Sequence, residues 1–185
     1  MAHHYQVFET ATGFAAIGWG TGGVTSFRLP APTAREAGQA LLRRLPDARR
    51  AEPPPGMCEV IDMACRCFTG ERVDFAAVPV DLGPQGDFFT RVYAHVRALG
   101  WGEVTTYGAV ARALDAAPEA ARAVGQAMAS NPVPLIIPCH RVRAANGRIG
   151  GFSAPGGSLS KVHMLTLEGV ERASVEATAQ MGFGF

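Results

Sequence analysis

Short β-rich runs at residues 5–9, 14–19 and 24–29 are separated by Gly and Thr, a layout that predicts an antiparallel meander. Beyond it the period lengthens. Ala37, Ala40, Leu41 and Leu45 form an apolar stripe, and Thr33 stands three residues before Glu36, the spacing of a capping box, so a helix is expected there. Residues 51–56 hold three consecutive prolines. Each biases its predecessor away from helix, which predicts an extended connection. A second helix is expected over 57–68 and a further strand over 73–80. Cys58 and Cys65 lie seven apart and would share a buried helix face with Ile61 and Phe68.

The turn-rich stretch 83–86 is the expected boundary between an N-terminal lobe, 1–82, and a second domain, 87–172, followed by a tail, 173–185. Phe89, Val92, Val96 and Leu99 repeat at 3, 4, 3 spacing and define an amphipathic helix ending at Gly100. Thr106 can cap a short helix over 107–114, and Pro118 suits the first position of another that reaches Ala129. Two short helices joined by a tight turn make a helix-turn-helix pattern, whose second helix carries Ala120, Ala121, Arg122, Ala123 and Gly125. The expected fold class is α/β: an N-terminal lobe with an antiparallel sheet and helices, then a helical C-terminal lobe.

Composition narrows the class without naming a function. The 185 residues are 48% hydrophobic and 18% charged, an ordinary globular balance. No apolar run approaches the roughly 20 residues of a membrane span, and the start lacks the charged-then-apolar layout of a secretory signal. A cytoplasmic protein is expected, nucleoid-associated in a bacterium or nuclear in a eukaryote. The net charge of +1 hides a basic stretch: residues 104–150 hold five arginines against Asp115 and Glu119, a surface compatible with phosphate backbones. Cys58, Cys65, Cys67 and Cys139 show neither a disulfide framework nor a zinc spacing, and His3 and His4 read as disordered terminal residues, so no metal is expected.

The chemistry concentrates in residues 131–142. A continuous apolar run there ends abruptly in Cys139, followed by His140 and Arg141. Cysteine attacks as thiolate, and an imidazole and a guanidinium are residue types that take its proton or favour its charge. An ionised sulfur beside the imidazole is expected at neutral pH. Adjacent side chains of an extended strand point to opposite sides, so His140 would reach Cys139 only through a turn or a water.

Pro138-Cys-His-Arg-Val142 is similar to the active-site motif of the O6-alkylguanine-DNA alkyltransferases. Four collinear stretches follow the family's order: Gly102-Glu-Val-Thr-Thr-Tyr107, Ala120-Ala-Arg-Ala-Val-Gly125, Met128 to Val142 around that motif, and Lys161 to Glu168-Gly169, so that the resemblance covers about residues 88–170. It implies Cys139 as alkyl acceptor, His140 as base through a water, Glu168 as the carboxylate that orients the histidine, and Asn131 as brace of the turn. It also implies that Arg122 enters the duplex where the damaged base leaves while Tyr107 presses on the adjacent phosphate, since O6 in a stacked pair cannot be approached in line. Thr106, Ala120, Ala121, Ala123, Gly125 and Arg141 complete the DNA-binding set, the small residues allowing close approach in a narrow minor groove. Met128, Val142, Phe152 and Ser153 are the implied pocket walls. At Phe152 the relatives carry tyrosine, and the loop 150–157 with Pro155 is longer than theirs, a departure that bears on the size of alkyl group accepted.

The expected partner is double-stranded DNA carrying O6-alkylguanine, bound by a monomer with no cofactor, because the electrophile arrives with the DNA. Two other readings stand beside this one. An alkyltransferase-like protein would grip the lesion without transfer, but such relatives lack the acceptor cysteine. A helix-turn-helix regulator with Cys139 as sensor would prefer one sequence by a large factor.

Overall fold

The computed structural model describes residues 2–170; the expected tail, 173–185, lies outside them. The described residues form two compact units, one holding those up to Gln85 together with Pro132–Ile137, the other Gly86–Asn131 and those from Pro138 to Val170.

In the first unit the meander forms as expected: β1 (His4–Thr10), β2 (Gly13–Gly20) and β3 (Gly23–Ala31) pair antiparallel in the order of the chain. His4 is not terminal disorder. It opens β1, and its ring lies 6.2 Å from that of Trp19. Helix α1 (Ala34–Leu42) begins where the hydroxyl of Thr33 accepts from the Glu36 amide at 3.2 Å. Its stripe, Ala37 and Leu41, packs with Ala16 and Ala31 and with the partly buried Tyr5, Val7 and Leu45. Gly18 permits that approach: a Cβ there would meet Leu45 Cδ1 at 2.9 Å.

Three expectations change in this unit. The sheet gains a parallel edge, β4 (Arg49–Arg50), through His4↔Arg49 and Tyr5↔Arg50; two exposed arginines carry no apolar alternation from which to read a strand. Residues 73–80 form no strand. An isolated bridge, Val24↔Val80, stands in place of a ladder with β3: Pro79 offers a carbonyl to Val24 but no N–H, and Asp74 turns the chain by accepting from the Ala76 amide. Helix α2 (Pro55–Phe68) starts inside the proline run, since Pro55 at its first position loses no hydrogen bond. Its buried stripe is Met57, Val60, Ala64, Cys67 and Phe68. Cys58 is exposed and its thiol donates to the Pro53 carbonyl, while Cys65 is half-buried against the Glu9 carbonyl. The buried thiol of α2 is therefore Cys67, one residue off the expected face.

Pro132–Ile137 also belongs to this unit. Prolines at 132, 134 and 138 forbid a helix, Leu135 turns through a positive φ of 79°, and Val133, Leu135, Ile136 and Ile137 are buried. The Pro132 carbonyl accepts from the Phe27 amide at 2.9 Å, which ties the segment to β3.

The second unit is mainly helical. Helix α3 (Asp87–Arg97) buries Val92, Tyr93 and Val96, and the Tyr93 hydroxyl donates to the Ala127 carbonyl at 3.0 Å. A two-residue strand, β5 (Thr105–Thr106), leads into α4 (Tyr107–Ala113), whose first turn is capped by Thr106 accepting from the Ala109 amide. Asp115 turns at φ 54°, Pro118–Ala120 is one 3₁₀ turn rather than the start of the α-helix, and α5 (Ala121–Ala129) completes the helix pair. Strand β6 (Val142–Arg143) pairs parallel with β5, and α6 (Ser158–Leu167) closes the unit. No helix among the described residues is long and apolar enough to cross a membrane.

Candidate active site

Cys139 begins a 3₁₀ turn, Cys139–Arg141, closed by the Arg141 amide donating to the Pro138 carbonyl at 2.9 Å. The turn removes the strand geometry that would have set Cys139 and His140 on opposite sides. Both are buried, at 4% and 1% exposure. Sγ lies in the wall of a cavity of about 490 Å³ lined also by Tyr107, Gly125, Met128, Phe152 and Ser153. The Ser153 hydroxyl pins the loop 150–157 to α5 by donating to the Ala129 carbonyl at 3.0 Å. Val142, an expected wall, does not line it. It is fully buried in β6, where its carbonyl accepts from Lys161.

Behind the cysteine, Glu168 at the end of α6 gathers three donors. His140 Nε2 lies 2.7 Å from Oε1, Arg141 reaches both oxygens through Nε and Nη2 at 2.8–3.2 Å, and the Gly102 amide donates to Oε2 at 3.1 Å. Burial alone would push this carboxyl up, but the hydrogen bonds of His140 and Arg141, together with the guanidinium charge, prevail and hold it at about 2. An ionised carboxylate only accepts, so His140 carries its proton on Nε2 and Nδ1 is the basic nitrogen. Burial lowers the His140 pKa against the opposing pull of Glu168, which leaves the imidazole neutral at rest.

Arg141 was expected among the DNA contacts. Instead its guanidinium is buried on Glu168, with Nη1 donating to the Leu99 carbonyl, and so cannot face a phosphate. Adjacency to Cys139 in the chain could not tell these two uses apart.

The expected thiolate also changes. Burial raises the Cys139 pKa; the side-chain hydrogen bond from Asn131, the charge of Lys161 and the backbone amides of Cys139 and His140 pull it down without prevailing. The resting sulfur is a thiol, with Asn131, Lys161 and two backbone amides placed to favour its anion.

Lys161 is the site residue that the sequence reading passed over. It is 1% exposed, with Nζ donating to the Val142 carbonyl at 2.6 Å and lying 3.5 Å from the Tyr107 hydroxyl, 5.7 Å from the Tyr107 ring and 5.8 Å from that of Phe152. Burial, then Arg143, lowers its pKa to about 8, opposed by Cys139. The signal was present. Lys161, Met164, Leu165 and Glu168 fall on one helical stripe, and a lysine on a buried stripe is out of place unless it has a partner.

The remaining expected residues lie on the helix pair. Arg122 is exposed on the first turn of α5, Ala120, Ala121, Ala123 and Gly125 are half-buried, and a Cβ at Gly125 would meet nothing within 4 Å. Tyr107 packs its hydroxyl against Gly150, where a Cβ would come within 3.1 Å. Among the described residues no group of His, Cys, Asp or Glu could hold a metal ion.

A helix pair leading to a buried Cys-His turn, anchored on a carboxylate, defines a class that other proteins share. Residues 87–170 match the model of the 6-O-methylguanine DNA methyltransferase DNA-binding domain. A methylated-DNA–protein-cysteine methyltransferase of Metallosphaera sedula is 47% identical over 102 residues, 55% of this chain and 61% of that protein. That of Mycobacterium tuberculosis H37Rv is 39% identical over 118 residues, 63% of this chain and 68% of its own. A crystal structure of the M. tuberculosis O6-methylguanine methyltransferase superposes with a TM-score of 0.71 at 31% identity, covering 90% of this chain and 92% of that one. The chain thus belongs to the O6-methylguanine DNA methyltransferase family, although its sequence match spans only about three-fifths of the length of several curated relatives.

Proposed function

We propose that the chain repairs alkylated duplex DNA by moving one alkyl group, irreversibly, from O6 of guanine to Cys139. The observation that carries this reading is a buried thiol in the wall of a cavity of about 490 Å³, followed in the chain by a neutral imidazole held on an ionised carboxylate. His140 Nδ1 takes the thiol proton through a water, while Asn131 and Lys161 stabilise the sulfur anion. Sγ attacks the alkyl carbon as the carbon–O6 bond breaks, the bonding pair stays with the purine, and N1 takes up a proton. A thioether has no easy leaving group, so each molecule reacts once.

The base must leave the stack to reach the sulfur. Arg122, exposed on the leading turn of α5, fills the place it vacates, Tyr107 presses on the neighbouring phosphate, and the small residues of α5 let the helix enter the minor groove. Thr106 acts through the start of α4 that it caps. Met128, Phe152 and Ser153 bound the space open to the alkyl group. The protein works as a monomer on double-stranded DNA carrying O6-alkylguanine, inside the cell where that DNA is.

Intact mass after incubation with a duplex containing O6-methylguanine tests this directly. The expected result is a gain of one methyl group, mapped to Cys139 and absent in Cys139→Ser. An unchanged mass under excess substrate overturns transfer and leaves the lesion-gripping alternative.

A further inference from the structure

The first unit contains a second cavity, of about 340 Å³, among β3, the end of α1 and residues 81–84. Two of its lining side chains hold unpaired polar atoms. Thr25 is 7% exposed, and its buried hydroxyl has no hydrogen-bond partner; the buried Nδ1 of His3 has none either. Buried polar atoms ordinarily find partners, and leaving one unmade costs about 1–3 kcal/mol. Thr25 is moreover the extra residue of a β-bulge, since Trp19 pairs with Val24 and Gly18 with Ser26, and bulges re-aim side chains beside working sites.

Positive charge gathers on the same side. Arg44 lines the cavity, and its charge and that of Arg43 both act on Arg28, a half-buried residue of β3 whose Nε also has no partner. Burial first, then Arg44 and Arg43, lowers the Arg28 guanidinium to about 10. No carboxylate forms a salt bridge with any of the three among the described residues. Converging like charges repel unless an anion joins them. Guanidinium, hydroxyl and imidazole donors together suit an oxyanion with several acceptor atoms, and a phosphate offers more of them than a carboxylate. Asp81 lines the cavity too, with Oδ1 accepting from the Gly83 amide at 3.1 Å. Its charge opposes a fully ionised free phosphate and favours an ester whose organic part presents a hydroxyl.

We propose that the cavity lined by Arg44, Thr25, His3 and Asp81 binds a phosphate group, with Arg28 and Arg43 supplying field from behind it. The site is separate from the chemistry of Cys139 and does not rest on alkyl transfer.

Isothermal titration of the full chain tests it with two probes, inorganic phosphate and 2′-deoxyguanosine 5′-monophosphate, each at ionic strength matched with sodium chloride. Saturable binding is expected, weakened about tenfold in Arg44→Ala and less in the isosteric Thr25→Val. Tighter binding of the nucleotide identifies the ester as the ligand; equal binding identifies the phosphate group alone. Melting curves without probe confirm that both variants fold, and the rise in Tm given by the tighter probe to the unsubstituted chain should shrink in both. Failure of both probes to bind the unsubstituted chain saturably, or binding undiminished in Arg44→Ala, overturns the proposal.

Discussion

In the second unit the network behind the reactive turn is paired: Glu168 takes His140, Arg141 and the Gly102 amide, and Lys161 takes the Val142 carbonyl, with His140 Nδ1 and Arg143 Nη1 as the buried atoms there that lack a partner. In the first unit the core is apolar, yet Thr25, Ser26 and Arg28 along one strand each keep a buried polar atom without a partner. Burying a paired charge and burying an unpaired hydroxyl have opposite signatures on removal. Taking one member from a satisfied network strands the others, whereas deleting a group that bonds to nothing relieves its desolvation.

Glu168→Ala should give the largest effect. It leaves Arg141 buried without its counter-charge and is expected to destabilise the protein by about 3–5 kcal/mol in denaturant unfolding, with transfer lost because His140 loses its anchor; a loss under about 1 kcal/mol would refute the network. Acid should follow the same carboxylate. Its folded pKa, about 2, lies below the ordinary 4.5, so its contribution is present above pH 4.5 and disappears as pH falls towards 2. Roughly 3 kcal/mol is at stake. Glu168→Gln should flatten that part of the stability–pH curve, and an unchanged curve would show that other carboxyls dominate.

Arg122→Ala sharpens the contrast within the second unit, because Arg122 is exposed where Arg141 is buried. Stability should shift by no more than about 0.5 kcal/mol. Transfer from duplex DNA should slow about tenfold or more, the cost of flipping being a few kcal/mol, while reaction with free O6-benzylguanine stays at the normal rate. A normal rate on duplex would remove the role given to Arg122. Smallest of all, Ser26→Ala should leave thermal unfolding unchanged or raise stability by up to about 1 kcal/mol. A clear destabilisation would mean that the hydroxyl has a partner after all.

The same contrast explains what could be read from the chain alone. Helices α1 and α3 announce themselves because burial on one face imposes a period, whereas the strands of the meander show as β-rich runs between Gly and Thr, β2 being buried at consecutive positions. Cys139, His140 and Glu168, which the structure brings together, could be singled out because they fall in short motifs that follow the family's order. Arg141 was misplaced because a motif gives identity without orientation: the guanidinium could face solvent or turn inward, and only α6 arriving with Glu168 decides. Lys161 is masked in the sequence by its place on a stripe with Met164 and Leu165, where only the fold shows the Val142 carbonyl that partners it. Strand β4 and the irregular course of 73–80 are settled by tertiary hydrogen bonds, at Tyr5 and Val24, that local preference does not encode.

Pro132–Ile137 gives the molecule an unusual wiring. The polypeptide leaves the helical unit after Asn131, spends six residues as part of the sheet unit, and returns directly at the reactive turn. A gene fragment beginning at Gly86 would therefore expose Val133, Leu135, Ile136 and Ile137 to water and free the length of chain that leads into Cys139. The two halves are covalently laced, so expressing the reactive half by itself should yield an aggregation-prone product, and restoring the missing portion in trans should recover it.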